Sequence, residues 1–366
     1  MRAGFFSPLP PARTGVADYA AALLPALRSH GSVEVAPADC DAALYHLGNN
    51  RLHGDIYDHA LARPGVIVLH DAVLHHFLLG RLSEGAYVEE FVHNYGEWNR
   101  PLAADLWARR SGSGADADYF QYPMLKRVCE RSRAVIVHNP AAARAVREHA
   151  PAAAVIEIPH LFATPALPSP AATLRWRQRH GIAANAFVFG VFGYLRETKR
   201  LFSVLEAFER LRRDRAEAVL LVAGDFVSTD LERAAAGPLA APGIVRLPWL
   251  PEAGFLEAAA AVDACINLRW PAAGETSGIA VRLMGMGKPV LLSDTEENAR
   301  YPEDACIRIA TGEAEREALR QHMVLLTSVL EVPREIGLRG AGHVRLHHPV
   351  ATIAEQYWKT LCAYGG

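Results

Sequence analysis

The chain has 366 residues, 51% of them hydrophobic, and its 38 lysines and arginines nearly balance 40 aspartates and glutamates for a net charge of -2. That length exceeds one ordinary core and predicts two domains of roughly 150 to 200 residues each. Balanced charge excludes nucleic acid as a default partner, and no apolar run approaches the roughly 20 residues of a membrane-spanning helix, which leaves only contact with a membrane surface open.

The chain starts MRAGFFSPLPPARTG, reaching prolines before an apolar stretch forms, so no secretory signal is expected. Short apolar runs at 3–6, 42–45, 66–69 and 134–137 read as strands, and amphipathic runs at 16–27 and 141–149 as helices. This is the rhythm of a parallel sheet covered on both faces. Residues 80–125 break it: with Trp98, Trp107, Tyr119, Tyr122 and SGSGAD they read as helices plus a mobile loop. The stretch 158–170, IPHLFATPALPSP, holds four prolines and no periodicity, and reads as an interdomain linker. Beyond it the rhythm restarts, with candidate strands FVFGVFG, AVLLVAGD, IVRLPWL, DACINL, PVLLSD and CIRIA and helical runs at 201–213 and 252–261. Two such domains would place a cleft at the carboxyl ends of two sheets, where open α/β folds bind ligands.

Several chemistries find no support. Cys40, Cys129, Cys265, Cys306 and Cys362 are scattered without CxxC spacing, which argues against a disulfide framework or a zinc site and fits a reducing cytoplasm. FGVFGYL lacks the GxGxxG order, and Gly287-Lys288 is followed by Pro289 where a P-loop needs Ser or Thr. His70, His75 and His76, and His347 with His348, match no metal spacing, so no metal site is expected. GxSxG is also missing, which removes the usual hydrolase nucleophile.

Three segments carry the functional signal. In SPLPPARTGVADY the Thr14-Gly15 turn opens a helix after the first strand, and its amides can approach an anion, unless the turn is only a cap. In FGVFGYLRETKR a glycine bend at Gly193 is followed by Arg196, Lys199 and Arg200 just before a helix. Three cations there suit a diphosphate, because charge-assisted hydrogen bonds are the strong ones. Lysine is otherwise scarce, the rest being Lys126, Lys288 and Lys359, so its use here points beyond surface solvation. In PAAGETSGIAVRLMGMGKPVLLSD, Thr276 or Ser277 would cap a helix and Gly278 would let its N-terminus approach a ligand. Glu275 would repel a diphosphate unless it reaches past it to neutral hydroxyls, which a sugar supplies; the plainer reading is helix-start electrostatics.

In this order the segments resemble retaining glycosyltransferases of the GT-B fold, specifically the large family four that uses nucleotide-sugar donors. PPARTGVADY resembles that family's N-terminal glycine loop, LHDAVLHHF its histidine strand end and GYLRETKR its basic phosphate loop. NLRWPAAGETSGIAVRLMGMGKPVLLSD resembles the donor-binding Glu-x7-Glu region in a Gly-Glu-Thr-Ser-Gly variant, and HHPVATIAEQYWKTL the helix that crosses back to the first domain. The resemblance implies an α/β chain of two doubly wound Rossmann-like domains facing a central cleft. Residues 1–165 would form the acceptor side, 171–345 the nucleotide-sugar side and 346–366 the returning helix.

Carried over residue by residue, the resemblance puts Gly15, Gly193, Tyr194, Arg196, Lys199, Glu275, Thr276, Ser277, Gly278 and Arg282 around the donor. Lys199 would bind phosphate, Glu275 the sugar hydroxyls, and His70 and Asp71 would face the transferred sugar and acceptor, although a buried structural histidine is the plainer reading. With Arg196 these residues form the expected catalytic set. Two departures stand out: Tyr194 replaces the usual arginine after the glycine, and Arg282 falls where the second glutamate, the ribose ligand, normally lies. A solvent-facing arginine paired with an acidic neighbour is the alternative for Arg282. The implied activity is retaining, metal-independent hexosyl transfer in the cytoplasm without a cofactor, from a nucleotide-diphosphate sugar to a sugar, lipid-linked or protein acceptor. An epimerase or phosphorylase of the same fold, and a catalytically silent sugar-nucleotide-binding scaffold, are the alternatives.

Overall fold

Strands that are apolar on both faces need cover from both sides, and the chain supplies it by alternating them with helices. The structure is a computed structural model describing residues 1–365. It forms two units, one of Met1–Leu161, Pro271–Gly278 and His348–Gly366, the other of Phe162–Trp270 and Ile279–His347.

The first unit opens with β1 (Arg2–Phe6), α1 (Gly15–Arg28), β2 (Ser32–Val35), β3 (Ala42–Leu47), α2 (Gly54–Ala62) and β4 (Val66–Leu69). A helical stretch follows, α3 (His75–Leu79), α4 (Glu84–Tyr95), α5 (Arg100–Ala108), α6 (Asp118–Gln121) and α7 (Lys126–Arg131), before β5 (Ala134–Val137), α8 (Pro140–His149) and β6 (Val155–Glu157). All strands pair in parallel, in the order β2-β1-β3-β4-β5-β6. α1 starts because the Thr14 hydroxyl accepts from Ala17 N at 3.1 Å, and it buries Tyr19, Ala20, Leu23, Leu24 and Leu27. That face meets Ile353, Ala354, Tyr357 and Leu361 of the C-terminal helix in one apolar layer. The opposite layer is built by α2 through α8 and holds Tyr87, Phe91 and Tyr119. SGSGAD is held down there, because Arg109 pairs with Asp105 and Asp118 at 2.9 and 2.6 Å and also with Asp116.

The proline-rich stretch carries no helix or strand up to Ser169, but its last proline belongs to the next helix. Pro170 is the first residue of α9 (Pro170–Arg179), where its lost N–H costs nothing, and the Ser169 hydroxyl caps Ala172 N. The second unit continues through β7 (Val188–Phe192), α10 (Leu201–Asp214), β8 (Val219–Ala223), α11 (Thr229–Leu239), β9 (Ile244–Leu247) and α12 (Glu252–Ala261). Then come β10 (Ala264–Asn267), α13 (Gly278–Gly285), β11 (Val290–Ser293), β12 (Ile307–Ile309), α14 (Glu315–Ser328) and α15 (Glu331–His347); α16 (Val350–Tyr364) closes the first unit. The second sheet is also parallel, in the order β12-β11-β10-β7-β8-β9. α12 and α13 cover one face, α10 and α14 the other. Among the described residues no helix is long and apolar enough to cross a membrane.

Candidate functional site

In each sheet the chain first runs outward on one side and then returns to build the other. The reversal lies between β1 and β3 in the first unit and between β7 and β10 in the second. Loops leaving the carboxyl ends of such strands diverge and leave room for a ligand. Gly15 follows the β1 loop, His70 and Asp71 follow β4, Gly193 follows β7, and Glu275 lies in the segment after β10.

In the first unit Gly15 is exposed, and a Cβ there would meet nothing within 4 Å, so packing does not demand a glycine. Asp18 sits in the first turn of the same helix and opposes an anion at that end. One turn on from Gly15, the Tyr19 ring stands edge-on to His70 with centroids 4.9 Å apart. His70 is buried, and its Nε2 hydrogen-bonds His46 Nδ1 at 2.9 Å. Burial, reinforced by His138 and His46, holds its pKa well below the ordinary histidine value, so the ring is neutral at neutral pH. The Asp71 carboxylate accepts from Asn49 N at 2.7 Å. The motif LHDAVLHHF thus divides: His75 turns to Tyr87 Oη at 2.7 Å in the core, while His70 joins His46, His138 and His160 at the carboxyl ends of neighbouring strands. Sequence spacing links none of those last three to His70. His348, from the other histidine pair, holds the His160 carbonyl.

Glu275 belongs to the segment Pro271–Gly278, which is grouped with the first unit. Ala72 N donates to Ala273 O at 2.8 Å, which brings the segment beside His70 and Asp71. Gly274 has φ +70°, and a Cβ there would stand 2.6 Å from the Ala72 Cβ, so both conformation and space require glycine. The Glu275 carboxylate accepts from Ala273 N at 2.8 Å, which fixes it against its own loop. Thr276 Oγ1 accepts from Asn139 Nδ2 at 3.0 Å, Ser277 is buried, and Gly278 faces His160, whose Nε2 would lie 3.1 Å from an added Cβ. Asn139 is a residue the sequence does not single out. Its amide also donates to Gly274 O at 2.9 Å, while its Oδ1 caps α8 by accepting from Ala142 N at 2.9 Å.

In the second unit Gly193 has φ +85°, and an added Cβ would come within 2.6 Å of Ile279 Cδ1 and 3.2 Å of Lys199 Nζ. Lys199 is only 6% exposed, and its ammonium donates to the Phe192 carbonyl at the end of β7. Trp270 N, in the loop after β10, donates to Thr198 O at 2.8 Å and ties that loop to the lysine turn. Tyr194 is half-buried, and Arg196 is exposed, its carbonyl accepting from Lys199 N at 3.0 Å while its side chain makes no ion pair or hydrogen bond among the described residues. The expected group of three cations is reduced to two. Arg200 Nε donates to both carboxylate oxygens of Glu315, at 2.8 and 3.1 Å, and Glu315 is only 1% exposed, so releasing Arg200 would strand a buried charge.

Arg282 lies on α13 and pairs with an acidic neighbour. Its Nη2 donates to Glu252 Oε1 at 2.5 Å, and the guanidinium stacks 4.1 Å from the Phe255 ring centroid. An exposed pair contributes about 0 to 1 kcal/mol, and an exposed cation–π contact about 0.5 to 1 kcal/mol, so neither makes Arg282 a pillar of the fold. The structure brings His70, Asp71 and Glu275 together in the first unit, and Gly193 and Lys199 in the second, where Arg282 lies one turn along α13 from the Ile279 that packs at Gly193.

No family model matches the sequence, and no curated protein matches it. Solved structures do. HepE from Anabaena, solved in complex with UDP and glucose, is 15% identical with a TM-score of 0.66 over 99% of this chain and 100% of that one. Sucrose-phosphate synthase from Thermosynechococcus elongatus is 14% identical with a TM-score of 0.69 over 99% and 100%. WaaG, a glycosyltransferase involved in lipopolysaccharide biosynthesis, is 13% identical with a TM-score of 0.64 over the whole of both chains. At these identities the likeness shows the fold, which is the GT-B fold expected from the sequence.

Proposed function

We propose that this chain is a retaining glycosyltransferase that moves a hexose from a nucleotide-diphosphate sugar to an acceptor hydroxyl. One observation carries the reading: a buried lysine is delivered to the carboxyl end of β7, at the reversal point of the second sheet, beside a positive-φ glycine whose missing side chain lets the ammonium and Ile279 pack close to the strand end. A buried ammonium is costly, and here it is placed where an anionic ligand of an open α/β fold binds. The family resemblance and the fold of HepE, itself solved with UDP-glucose, support a nucleotide-sugar donor.

In this reading Lys199 and Arg196 take the diphosphate and stabilise the charge that grows on it as the anomeric bond breaks. Glu275, held by Ala273 N, accepts from hydroxyls of the sugar. Thr276, Ser277 and Gly278 offer backbone amides to the diphosphate, and His70 and Asp71 face the transferred sugar and the acceptor. The acceptor hydroxyl attacks from the face the leaving group departs from, its proton passes to the departing diphosphate, and the anomeric configuration is kept. No cofactor or divalent metal enters these steps. The acceptor is a sugar, lipid-linked or protein hydroxyl in bacterial polysaccharide, glycolipid or glycoconjugate synthesis, and the work is done in the cytoplasm or at the inner face of its membrane.

The test is a panel of nucleotide sugars, read first by thermal stability and then by transfer. A true donor at a hundred times its dissociation constant adds about 2.7 kcal/mol. Transfer with retained anomeric configuration by NMR, undiminished by a chelator and largely lost in Glu275→Gln, is expected. A panel in which no nucleotide sugar stabilises the protein would overturn the reading, and inverted product or epimerised donor would replace it.

A further inference from the structure

The arginine at position 282 does not stand alone: it holds a carboxylate. Glu252 lies in the first turn of α12 with 61% of its side chain exposed, and only its Oε1 is engaged by Arg282. Arg282 is in turn pinned over Phe255, and the Phe255 ring stands edge-on to Phe192 with centroids 5.4 Å apart. Phe192 is the residue whose carbonyl takes the Lys199 ammonium. A second path leads to the same place, because Ile279 of α13 fills the space beside Gly193 and Arg282 lies three residues further along, on the same helix face. Glu252 is therefore tied, through Arg282 and Phe255, to the strand end that carries the lysine turn, inside one unit.

A carboxylate accepts hydrogen bonds and donates none, with about four lone-pair sites over two oxygens. Arg282 donates to one oxygen, which leaves the other to accept from a ligand. A group so arranged suits two neighbouring hydroxyls, which donate side by side to one carboxylate. A nucleoside diphosphate presents such a pair on its ribose, next to the phosphates. We propose that Glu252, oriented by Arg282 on the Phe255 ring, accepts from the ribose diol of the nucleotide. The inference rests on the nucleotide-sugar reading with the diphosphate at Lys199. It gives Arg282 a positioning role: the guanidinium, which itself cannot accept from hydroxyls, brings in a carboxylate from α12.

Calorimetric titration of UDP, ADP and GDP, each beside its 2′,3′-dideoxy counterpart, tests this. With the tightest-binding pair, the parent protein should prefer the ribonucleotide at least tenfold, about 1.4 kcal/mol. Glu252→Gln and Glu252→Ala should weaken the ribonucleotide about tenfold, leave the dideoxy form unchanged and bring the preference below twofold. Arg282→Ala should also reduce the preference, and Arg282→Lys should restore part of it. A parent protein that binds diphosphates without preferring the diol, or a Glu252→Ala variant that keeps the full preference, overturns this inference alone. Failure of every diphosphate to bind overturns it together with the donor reading.

Discussion

Asn139 donates from its side-chain amide to Thr276 Oγ1 at 3.0 Å across 137 positions of sequence, while its carbonyl oxygen caps α8 through Ala142 N. One short side chain thus starts a helix and fixes the loop that carries Glu275. Asn139→Ala should lose the cap, about 0.5 to 2 kcal/mol, and release the loop as well. Asn139→Asp separates the two effects, because it keeps the acceptor and loses the donor. Urea unfolding should show the aspartate variant more stable than the alanine variant, with both losing transfer activity. Parental turnover in Asn139→Asp would show that the loop needs no such clamp.

The two glycines at helix and loop starts should behave oppositely. Gly274→Ala would force an alanine to φ +70° and press its Cβ to 2.6 Å from that of Ala72. Backbone strain of about 1 to 3 kcal/mol and overpacking of about 1 to 3 kcal/mol both act against it. Gly15→Ala meets nothing within 4 Å and should change stability by less than about 0.5 kcal/mol. A weaker donor affinity in that variant would show a ligand lying where the methyl points, and unchanged affinity would remove Gly15 from the site.

Such contrasts show what was readable in the chain. Strands β3, β4, β7, β8 and β10 are continuous apolar runs buried on both faces, so composition alone reveals them. β2 and β6 were missed because they are short edge strands, with β2 burying only Val33 and β6 half-buried throughout. Lys199 and Gly193 could be found because a turn, a strand end and a rare lysine lie within a few residues of each other. Asn139-Pro140 signals a helix cap locally, but nothing local signals Thr276. Likewise, counting back from Gly287-Lys288-Pro289-Val290 singles out Arg282, whereas Glu252 lies 30 residues before it and becomes its partner only when α12 packs beside α13. Arg200 misled for the same reason, since Glu315 is 115 positions away.

The buried histidines predict a marked loss of stability in mild acid. Burial lowers the pKa of His53 and His138 to about 4 and places those of His46 and His70 well below the ordinary value. In the unfolded chain these groups take protons near pH 6.5, so between about pH 6.5 and about 4 the unfolded state binds protons that the folded state refuses. Stability therefore falls as pH falls through that window, by up to about 1.4 kcal/mol per pH unit for each such histidine. Thermal midpoints measured from pH 7.5 to 5 should drop, and His138→Asn should flatten the slope. A midpoint independent of pH over that range would mean that these rings protonate as readily folded as unfolded.

Lys199 decides between a structural and a catalytic use of a buried charge. Its ammonium holds the Phe192 carbonyl, which a purely structural lysine would also do. Lys199→Met keeps most of the buried stem and removes the charge. If the lysine stabilises the departing diphosphate, turnover should fall by about 2.7 to 4 kcal/mol of transition-state stabilisation, 100- to 1000-fold. Product inhibition by the nucleoside diphosphate should weaken with it, and the remaining affinity should depend less on salt, because one charged contact is gone. Arg196→Ala should show the same signature more weakly, since the exposed guanidinium is screened by water. A structural lysine gives the reverse pattern: a lowered thermal midpoint with inhibition and its salt dependence unchanged. Measuring the inhibition constant at two ionic strengths in Lys199→Met separates the two outcomes even when turnover is lost, because it reads binding of the diphosphate and not the chemistry.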